Sequence, residues 1–223
     1  MTSDRLPALA LLVSGVLCAF LGVRLLIADV SAWQAARFIN DWTERREVAS
    51  DQAWVVAESA AQRAIAFAPV AFAIHYDRLG RIYEWRHLHL PFGNEAAVES
   101  RLAARDAYKQ TLQLRPLWPY TWARHAYIKL RLWQIDEEFD LALRKATELG
   151  PWRAGVNKTV AEIGFISWQA LDADQRMLIL EAAKRVIQQN PKTGMGVIAL
   201  AKKLHRLADL CAVFENDVPK ECL

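Results

Sequence analysis

The chain of 223 residues is 53% hydrophobic and 24% charged, and its formal net charge is +3. This length suits one domain with a core plus an additional segment, and a charge so near balance excludes a general attraction to nucleic acid or anionic lipid. Three cysteines are too few for a disulfide scaffold or a zinc ribbon. Because no stretch alternates β-branched residues over several positions, the sequence predicts an all-α protein.

The N-terminal part of the chain holds an uncharged run of 18 residues, Leu6–Val23, which continues beyond Arg24 as Leu25–Ala28. A helix that crosses a membrane needs roughly 20 mostly apolar residues. The long side chain of Arg24 can reach the lipid headgroups from one end of such a helix. We therefore predict a transmembrane anchor over residues 6–28. A cleaved signal peptide ending near Val30-Ser31-Ala32, and a buried core helix, are the alternatives.

Three further regions are predicted after the anchor. They are a juxtamembrane helix at residues 29–49, a helical repeat domain at 50–214 and a C-terminal tail at 215–223. Trp33 and Trp42 follow the anchor closely. Tryptophan is enriched at membrane–water interfaces, so we predict an interfacial position for both side chains.

Prolines recur beyond the anchor at intervals of 47, 35 and 40 residues, a range typical of helical repeats. Before each proline, apolar or small residues are spaced i, i+4, i+7, as on one face of a helix. The proline then ends that helix and begins the next, where its missing N–H costs nothing. Residues 193–214 are predicted to form a closing helix that covers the last apolar face. The prolines are Pro69, Pro116, Pro151 and Pro191.

The segment after the first of these prolines has the pattern aromatic-x2-Leu-Gly-x2-Tyr, formed by Tyr76, Leu79, Gly80 and Tyr83. The following helix adds Ala104, Tyr108 and Pro116. These positions resemble the tetratricopeptide repeat family, and the resemblance covers about residues 50–191. It implies a right-handed stack of antiparallel helix pairs with a C-terminal capping helix. We expect buried side chains at Leu79, Tyr83, Tyr108, Leu143, Trp122, Trp133, Trp152 and Trp168.

Residues 84–100 depart from that family, because they add about a dozen residues between the two helices of one repeat. Pro91, Gly93 and Asn94 are turn formers, so we predict a protruding loop here. Loops on a rigid helical scaffold often carry function. A tolerated insertion without function is the alternative.

The resemblance also implies a concave surface formed by the first helix of each pair. Its groove-facing positions in this chain mix charged and aromatic side chains, as peptide-binding grooves do. A plain solvated face is the alternative. The predicted partner-binding residues are Asp77, Arg81, Glu84, Trp85, Tyr120, Ala123, Tyr127 and Arg131.

No motif in the sequence indicates catalysis. His75, His87 and His89 have no cysteine or carboxylate at ligand spacing. Neither a phosphate-binding loop nor a Ser-His-Asp arrangement is present in the sequence. We therefore expect a non-catalytic protein without metal, cofactor, nucleic acid or small-molecule substrate, which works by binding other proteins.

One anchor followed by a short, tryptophan-rich repeat domain resembles the layout of VpsP-type proteins of bacterial exopolysaccharide gene clusters. The run Trp122–Pro151 and the segment Trp152–Trp168 carry this resemblance. It implies a scaffold or adaptor of the bacterial inner membrane that is accessory to exopolysaccharide biosynthesis or export. A scaffold for another envelope machine, such as secretion or cell division, is the alternative.

The two C-terminal cysteines bear on the compartment. The tail that carries Cys222 is long enough to fold back on Cys211, so a disulfide is geometrically feasible, and it would persist only in an oxidising compartment. Two free buried thiols are the alternative. Four arginines between residues 24 and 46 favour a cytoplasmic domain by the positive-inside rule. With a single anchor that bias is small, and we predict a periplasmic repeat domain.

Overall fold

The computed structural model describes residues 5–48, 50–215 and 218–222, and it describes side chains from residue 9 onward. Over these ranges the chain is helical and has no strand, which confirms the all-α prediction. Short 3₁₀ helices lie at Glu95–Ala97, Trp168–Ala170 and Lys220–Cys222. The α-helices are α1 (Arg5–Arg45), α2 (Asp51–Phe67), α3 (Ala73–Arg86), α4 (Val98–Leu114), α5 (Pro119–Arg131), α6 (Glu137–Leu149), α7 (Ala154–Ser167), α8 (Ala173–Gln189), α9 (Pro191–Lys203) and α10 (Leu207–Cys211).

Two compact units divide the chain at Leu88 and His89. The first contains α1, α2 and α3, and the second contains α4 to α10. The division therefore does not follow the predicted boundaries, which separated an anchor, a juxtamembrane helix and a repeat domain beginning at residue 50. One uninterrupted helix, α1, covers both the predicted anchor and the predicted juxtamembrane segment.

The second half of α1 packs along α2 as an antiparallel pair. Steps of four and three residues keep one seam of a helix facing its partner, and small alanine side chains let two helix backbones approach closely. The buried apolar positions of α1 are Ala28, Ala32, Ala35, Ile39 and Trp42, and those of α2 include Trp54, Ala57, Ala61 and Ala64. This packing explains why α1 continues without a break beyond the apolar run.

The apolar half of α1 is exposed. Among the residues that the structure describes, α1 is the one helix long and apolar enough to cross a membrane, and none of its most apolar window is buried. Trp33 is 64% exposed, as an interfacial side chain would be. Trp42 is fully buried instead, with its ring 5.8 Å from Phe38 and 6.2 Å from Trp85. The interfacial prediction is therefore wrong for Trp42, because the seam with α2 buries it.

The second unit is built from consecutive helices that pack on their neighbours, α4 on α5, α5 on α6, α7 on α8 and α8 on α9. Tyr108 and Leu143 are fully buried, as predicted. In the first unit, Leu79 and Tyr83 are only half-buried, at the edge of the core that contains Ile82. Pro191 is the first residue of α9, as predicted. The prediction is wrong for the other three prolines, because α3, α5 and α7 begin three or four residues later, at Ala73, Pro119 and Ala154.

Two of the four tryptophans predicted to lie in the second unit's core are exposed. Trp168 is buried and Trp122 packs partly against the core. Trp133 is 56% exposed and Trp152 is 78% exposed, so the core prediction is wrong for both. Each lies just beyond a helix end. Trp133 has a φ of 60° and ends α5, with the N–H of the next residue donating to Lys129 O at 2.9 Å, as in a Schellman motif.

The predicted closing helix at 193–214 is interrupted. His205 has a φ of 58°, and the N–H of Arg206 donates to Ala201 O at 2.7 Å, which closes a Schellman motif at the end of α9. The chain then continues as the short helix α10. Beyond it, Cys211 and Cys222 form a disulfide with their Cα atoms 5.5 Å apart, which ties the tail to the end of α10.

Candidate partner-binding surface

The predicted protruding loop is not a loop throughout, and its later part is held against the second unit. Its first residues, up to Arg86, belong to α3. Further along, the Leu90 carbonyl accepts hydrogen bonds from Arg101 Nη2 at 2.8 Å and Arg131 Nη2 at 3.3 Å. Gly93 adopts a φ of 70°, and its N–H donates to Arg131 O at 2.9 Å. The prediction of a protruding loop is therefore wrong for residues 89–97.

In the first unit, α3 carries four of the predicted partner-binding residues. Asp77 is buried, so its carboxylate is not available to a partner in this structure. Arg81 and Glu84 are half-buried and keep part of their surface accessible. Trp85 is also half-buried, because its ring packs against that of Trp42.

In the second unit, α5 carries the other four predicted partner-binding residues. Ala123 and Arg131 are buried, and neither can line an open groove. Tyr127 is half-buried and meets the Phe92 ring edge to face, with ring centroids 6.4 Å apart. The Arg131 guanidinium lies 5.6 Å from the centre of the same Phe92 ring. These contacts assign Tyr127 and Arg131 to fixing the 89–97 segment, whereas Tyr120 is half-buried and packs partly against the core.

Charged side chains form a partly buried cluster between α4, α5 and α6. Glu138 accepts a hydrogen bond from Lys129 Nζ at 2.7 Å and lies 2.9 Å from Lys109 Nζ and 3.2 Å from His125 Nε2. Lys129 also donates to Asp136 at 2.8 Å. Burial raises the pKa of Glu138, but the hydrogen bonds from the two lysines outweigh burial and lower that pKa to about 2. A carboxylate so strongly held as an anion joins helices and is a poor general base.

The Glu138 cluster predicts a loss of stability in acid. Because its pKa in the folded state is about 2 and its ordinary value is 4.5, the stabilisation by Glu138 is present above pH 4.5 and is lost as pH falls toward 2. Glu138→Gln should therefore lower the free energy of unfolding at pH 7, and lower it by a clearly smaller amount at pH 3, where part of the stabilisation is already lost. Urea unfolding at both pH values measures this.

The matched control for this prediction is Glu137→Gln, at the exposed neighbouring position of α6. It should change the free energy of unfolding little at either pH. A deficit of Glu138→Gln that was equal at pH 7 and pH 3 would show that the ionised carboxylate contributes nothing specific.

Large apolar side chains are exposed where α4 meets α5 and where α6 meets α7. Leu114, the last residue of α4, is 45% exposed, and Leu117 in the turn that follows is 74% exposed. Trp152 is the exposed large apolar residue of the second turn. Trp118 and Tyr120 pack on each other with ring centroids 5.6 Å apart. We refer to these five residues as the Leu117–Trp152 patch.

The turn between α6 and α7 lies close to the start of α5, at the other turn of the patch. A Cβ placed on Gly150 would lie 2.8 Å from Pro119 Cβ, and one placed on Gly155 would lie 3.4 Å from Tyr120 Cε1. The turn that carries Trp152 therefore runs beside the first turn of α5. The Arg115 guanidinium adds a cation over the Trp118 ring, 3.8 Å from its centre.

The sequence contained a signal for this patch that the repeat pattern obscured. A large apolar residue directly follows the proline in Pro116-Leu117 and in Pro151-Trp152. The tetratricopeptide pattern predicts partner-binding residues on the helix faces, whereas Leu117 and Trp152 lie in the turns between helices. Exposure of a residue in a turn depends on how the neighbouring helices pack, so it is decided by the fold.

Comparison with known proteins leaves the chain without an assigned family. No protein-family model matches it, and no curated protein matches its sequence. Within the described part of the chain, no group of three or more histidine, cysteine, aspartate or glutamate side chains is arranged to hold a metal ion. The apolar helix α1 and the Leu117–Trp152 patch are the two features of this structure that point to a function.

Proposed function

We propose that this protein is a membrane-anchored, non-catalytic scaffold of the bacterial cell envelope that binds a partner protein through the Leu117–Trp152 patch. The main support for this proposal is that Leu117 and Trp152 are both exposed and lie in adjacent turns. Contiguous exposed apolar surface marks interaction sites in soluble domains. Tryptophan, tyrosine and arginine dominate the binding energy of protein interfaces, and Trp152, Tyr120 and Arg115 supply all three here.

The surrounding helices suit a scaffold. In this proposal the second unit is a short tetratricopeptide-like stack whose rigid helix pairs hold the patch residues in place. The side chains of Trp118 and Tyr120 are already packed on each other, so binding a partner would cost little side-chain entropy there. Arg81 and Glu84 of α3 remain candidate polar contacts of the first unit with a partner.

The inner membrane is the proposed location, with α1 as a single span and the second unit in the periplasm. Exposure of the whole apolar window of α1 supports a span, because a core helix would bury it. The Cys211–Cys222 disulfide supports an oxidising compartment. A reporter fused after Leu223 that is active only in the periplasm tests the placement, and retention of the intact chain in the membrane fraction distinguishes an anchor from a cleaved signal peptide.

The layout of one anchor and a short helical domain bears on the cellular process that the scaffold serves. Resemblance to VpsP-type proteins favours an accessory role in exopolysaccharide biosynthesis or export, and a secretion or cell-division machine is the second candidate. Neighbouring glycosyltransferase genes would favour the first. The identity of the bound partner separates the two directly.

Photo-crosslinking in the native cell tests the proposed partner surface. A photoreactive amino acid at Leu117 should give a covalent adduct with an envelope protein, which mass spectrometry identifies. Trp152→Ala should abolish the adduct without changing the amount of the protein in the membrane. The control Met195→Ala, at an exposed apolar position of α9, should leave the adduct unchanged. Adducts with lipid alone, or a protein adduct insensitive to Trp152→Ala, would contradict the proposal.

A further inference from the structure

In the first unit, the end of α2, its connection to α3 and the start of α3 form an uncharged apolar segment. Residues 64–74 read AIAFAPVAFAI and contain no polar side chain. Four large apolar side chains in it are exposed, with exposed fractions of 36%, 60%, 40% and 45% for Phe67, Val70, Phe72 and Ile74. Eleven residues are too few to cross a bilayer, which takes roughly 20 in a helix. The segment therefore presents apolar side chains that the described residues of the first unit leave exposed.

Arg24 fixes this segment to one level of α1. Its Nη2 donates to Ala66 O at 3.0 Å and its Nε donates to Phe67 O at 3.3 Å. Both carbonyls belong to the last turn of α2, where carbonyl oxygens accept no hydrogen bond from within the helix. A cation is also favoured at this end of a helix by the helix dipole. The Arg24 guanidinium therefore caps α2 at the end of the apolar run, the end from which it was predicted to reach the lipid headgroups.

The length of the apolar run sets the level of Arg24 relative to a bilayer. The 18 residues Leu6–Val23 extend about 27 Å as a helix, close to the roughly 30 Å of the hydrocarbon core. When this run lies in the membrane, Arg24 lies at one edge of the hydrocarbon. The carbonyls that it binds, and the apolar segment that follows them, lie at the same edge.

We propose that residues 67–74 insert into the headgroup–acyl boundary of the phospholipid leaflet from which α1 emerges, as a second lipid contact of the first unit. A bilayer fits this surface better than a protein does, because the exposed apolar side chains adjoin the exposed apolar face of α1 at the level of Arg24. At the boundary, water reaches the backbone polar groups of the non-helical residues 68–72, which the hydrocarbon interior would not allow. Together the two contacts fix the orientation of the first unit on the membrane.

Fluorescence quenching in lipid nanodiscs tests the insertion on the full chain. The inference rests on the proposed membrane span. One label therefore reports on the span and a second label reports on the insertion of residues 67–74. Wild-type protein labelled with nitrobenzoxadiazole at the exposed Cys18 reports on the span. Cys18→Ser with Val70→Cys reports on the segment. Cys18→Ser with Val55→Cys is the matched control, since Val55 is an exposed valine of α2 that lies 12 residues, or about 18 Å along the helix, from Phe67.

The label at position 70 should emit at shorter wavelength than the label at position 55, and doxyl-lipids with the quencher near the headgroup should quench it severalfold more strongly. Aqueous iodide should quench the label at position 55 more strongly. Cys18→Ser alone should take up no label, because the other cysteines are bonded. Equal iodide quenching at positions 70 and 55, with Cys18 quenched by lipid, overturns the insertion and leaves the span intact. A Cys18 label that lipid does not quench overturns the span itself.

Discussion

Arg101→Met is expected to lower the free energy of unfolding of the second unit by about 3 kcal/mol, because a hydrogen bond from a charged donor contributes roughly 1.5–3 kcal/mol and this side chain makes two. Arg101 is 2% exposed, and it donates to the carbonyls of Arg131 and Leu90, both at 2.8 Å. Burial and the nearby Arg131 lower its pKa to about 10, so it remains a cation at pH 7.

Two features keep the expected loss below the sum of two such bonds. Each carbonyl retains a second donor, the Gly93 N–H for Arg131 O and Arg131 Nη2 for Leu90 O. The substitution also removes a like charge from beside Arg131. Arg101→Lys should cost part of the same free energy, since one ammonium group cannot reproduce the two-armed geometry of guanidinium.

The matched control is Arg105→Met, one turn further along α4, where the guanidinium bonds the neighbouring Asp106. Such a near-surface pair contributes at most about 1 kcal/mol. Hydrogen exchange supplies a local measurement, because releasing the 89–97 segment should speed exchange at the Gly93 amide. Unchanged protection of Gly93 in Arg101→Met would mean that Arg101 does not hold this segment.

Gly164→Ala is expected to destabilise the contact between α7 and α8 by about 2 kcal/mol. A Cβ at Gly164 would overlap Cγ1 and Cγ2 of Ile179, and Ile179 is fully buried and stiff at χ1. Overpacking of this kind costs roughly 1–3 kcal/mol. Because both γ carbons overlap, we expect a cost at the upper end of that range. The better helix propensity of alanine offsets about 1 kcal/mol of this cost. Urea unfolding of the detergent-solubilised protein measures the net change.

Two variants make this prediction specific to the overlap. Gly196→Ala, on an exposed position of α9 with open space at its Cβ, should stabilise the protein by up to about 1 kcal/mol. In an Ile179→Ala background, adding Gly164→Ala should become neutral or stabilising, because the clashing atoms are gone. Equal costs of Gly164→Ala in both backgrounds would place the strain elsewhere.

Features that depend on neighbouring residues along the chain could be read from the sequence. The uncharged run Leu6–Val23 gives a helix of membrane length because it requires only composition and a 1.5 Å rise per residue. Apolar spacing before the prolines predicted helices that are present, and Tyr108 is buried as that spacing required. For the same local reason, Cys211 and Cys222 could be paired, since they are only 11 positions apart in the sequence.

The candidate site was only partly predictable, as the α5 residues illustrate. A repeat pattern assigns Ala123, Tyr127 and Arg131 to a groove-facing stripe, yet Ala123 lies against the helices of the core, and residues 89–97 cover the other two. That segment departs from the repeat, so no pattern of period 34 or so could anticipate where it would lie.

The sequence by itself determined the class of elements, the apolar run and the covalent reach of the tail, because each follows from composition or from distance along the chain. Only the tertiary structure decided that Arg24 caps α2, that Trp42 is buried while Trp152 is exposed, and that Arg101 and Arg131 hold residues 89–97. These outcomes depend on contacts between residues far apart in the chain, whose geometry is fixed when the helices pack and is not encoded in any one segment.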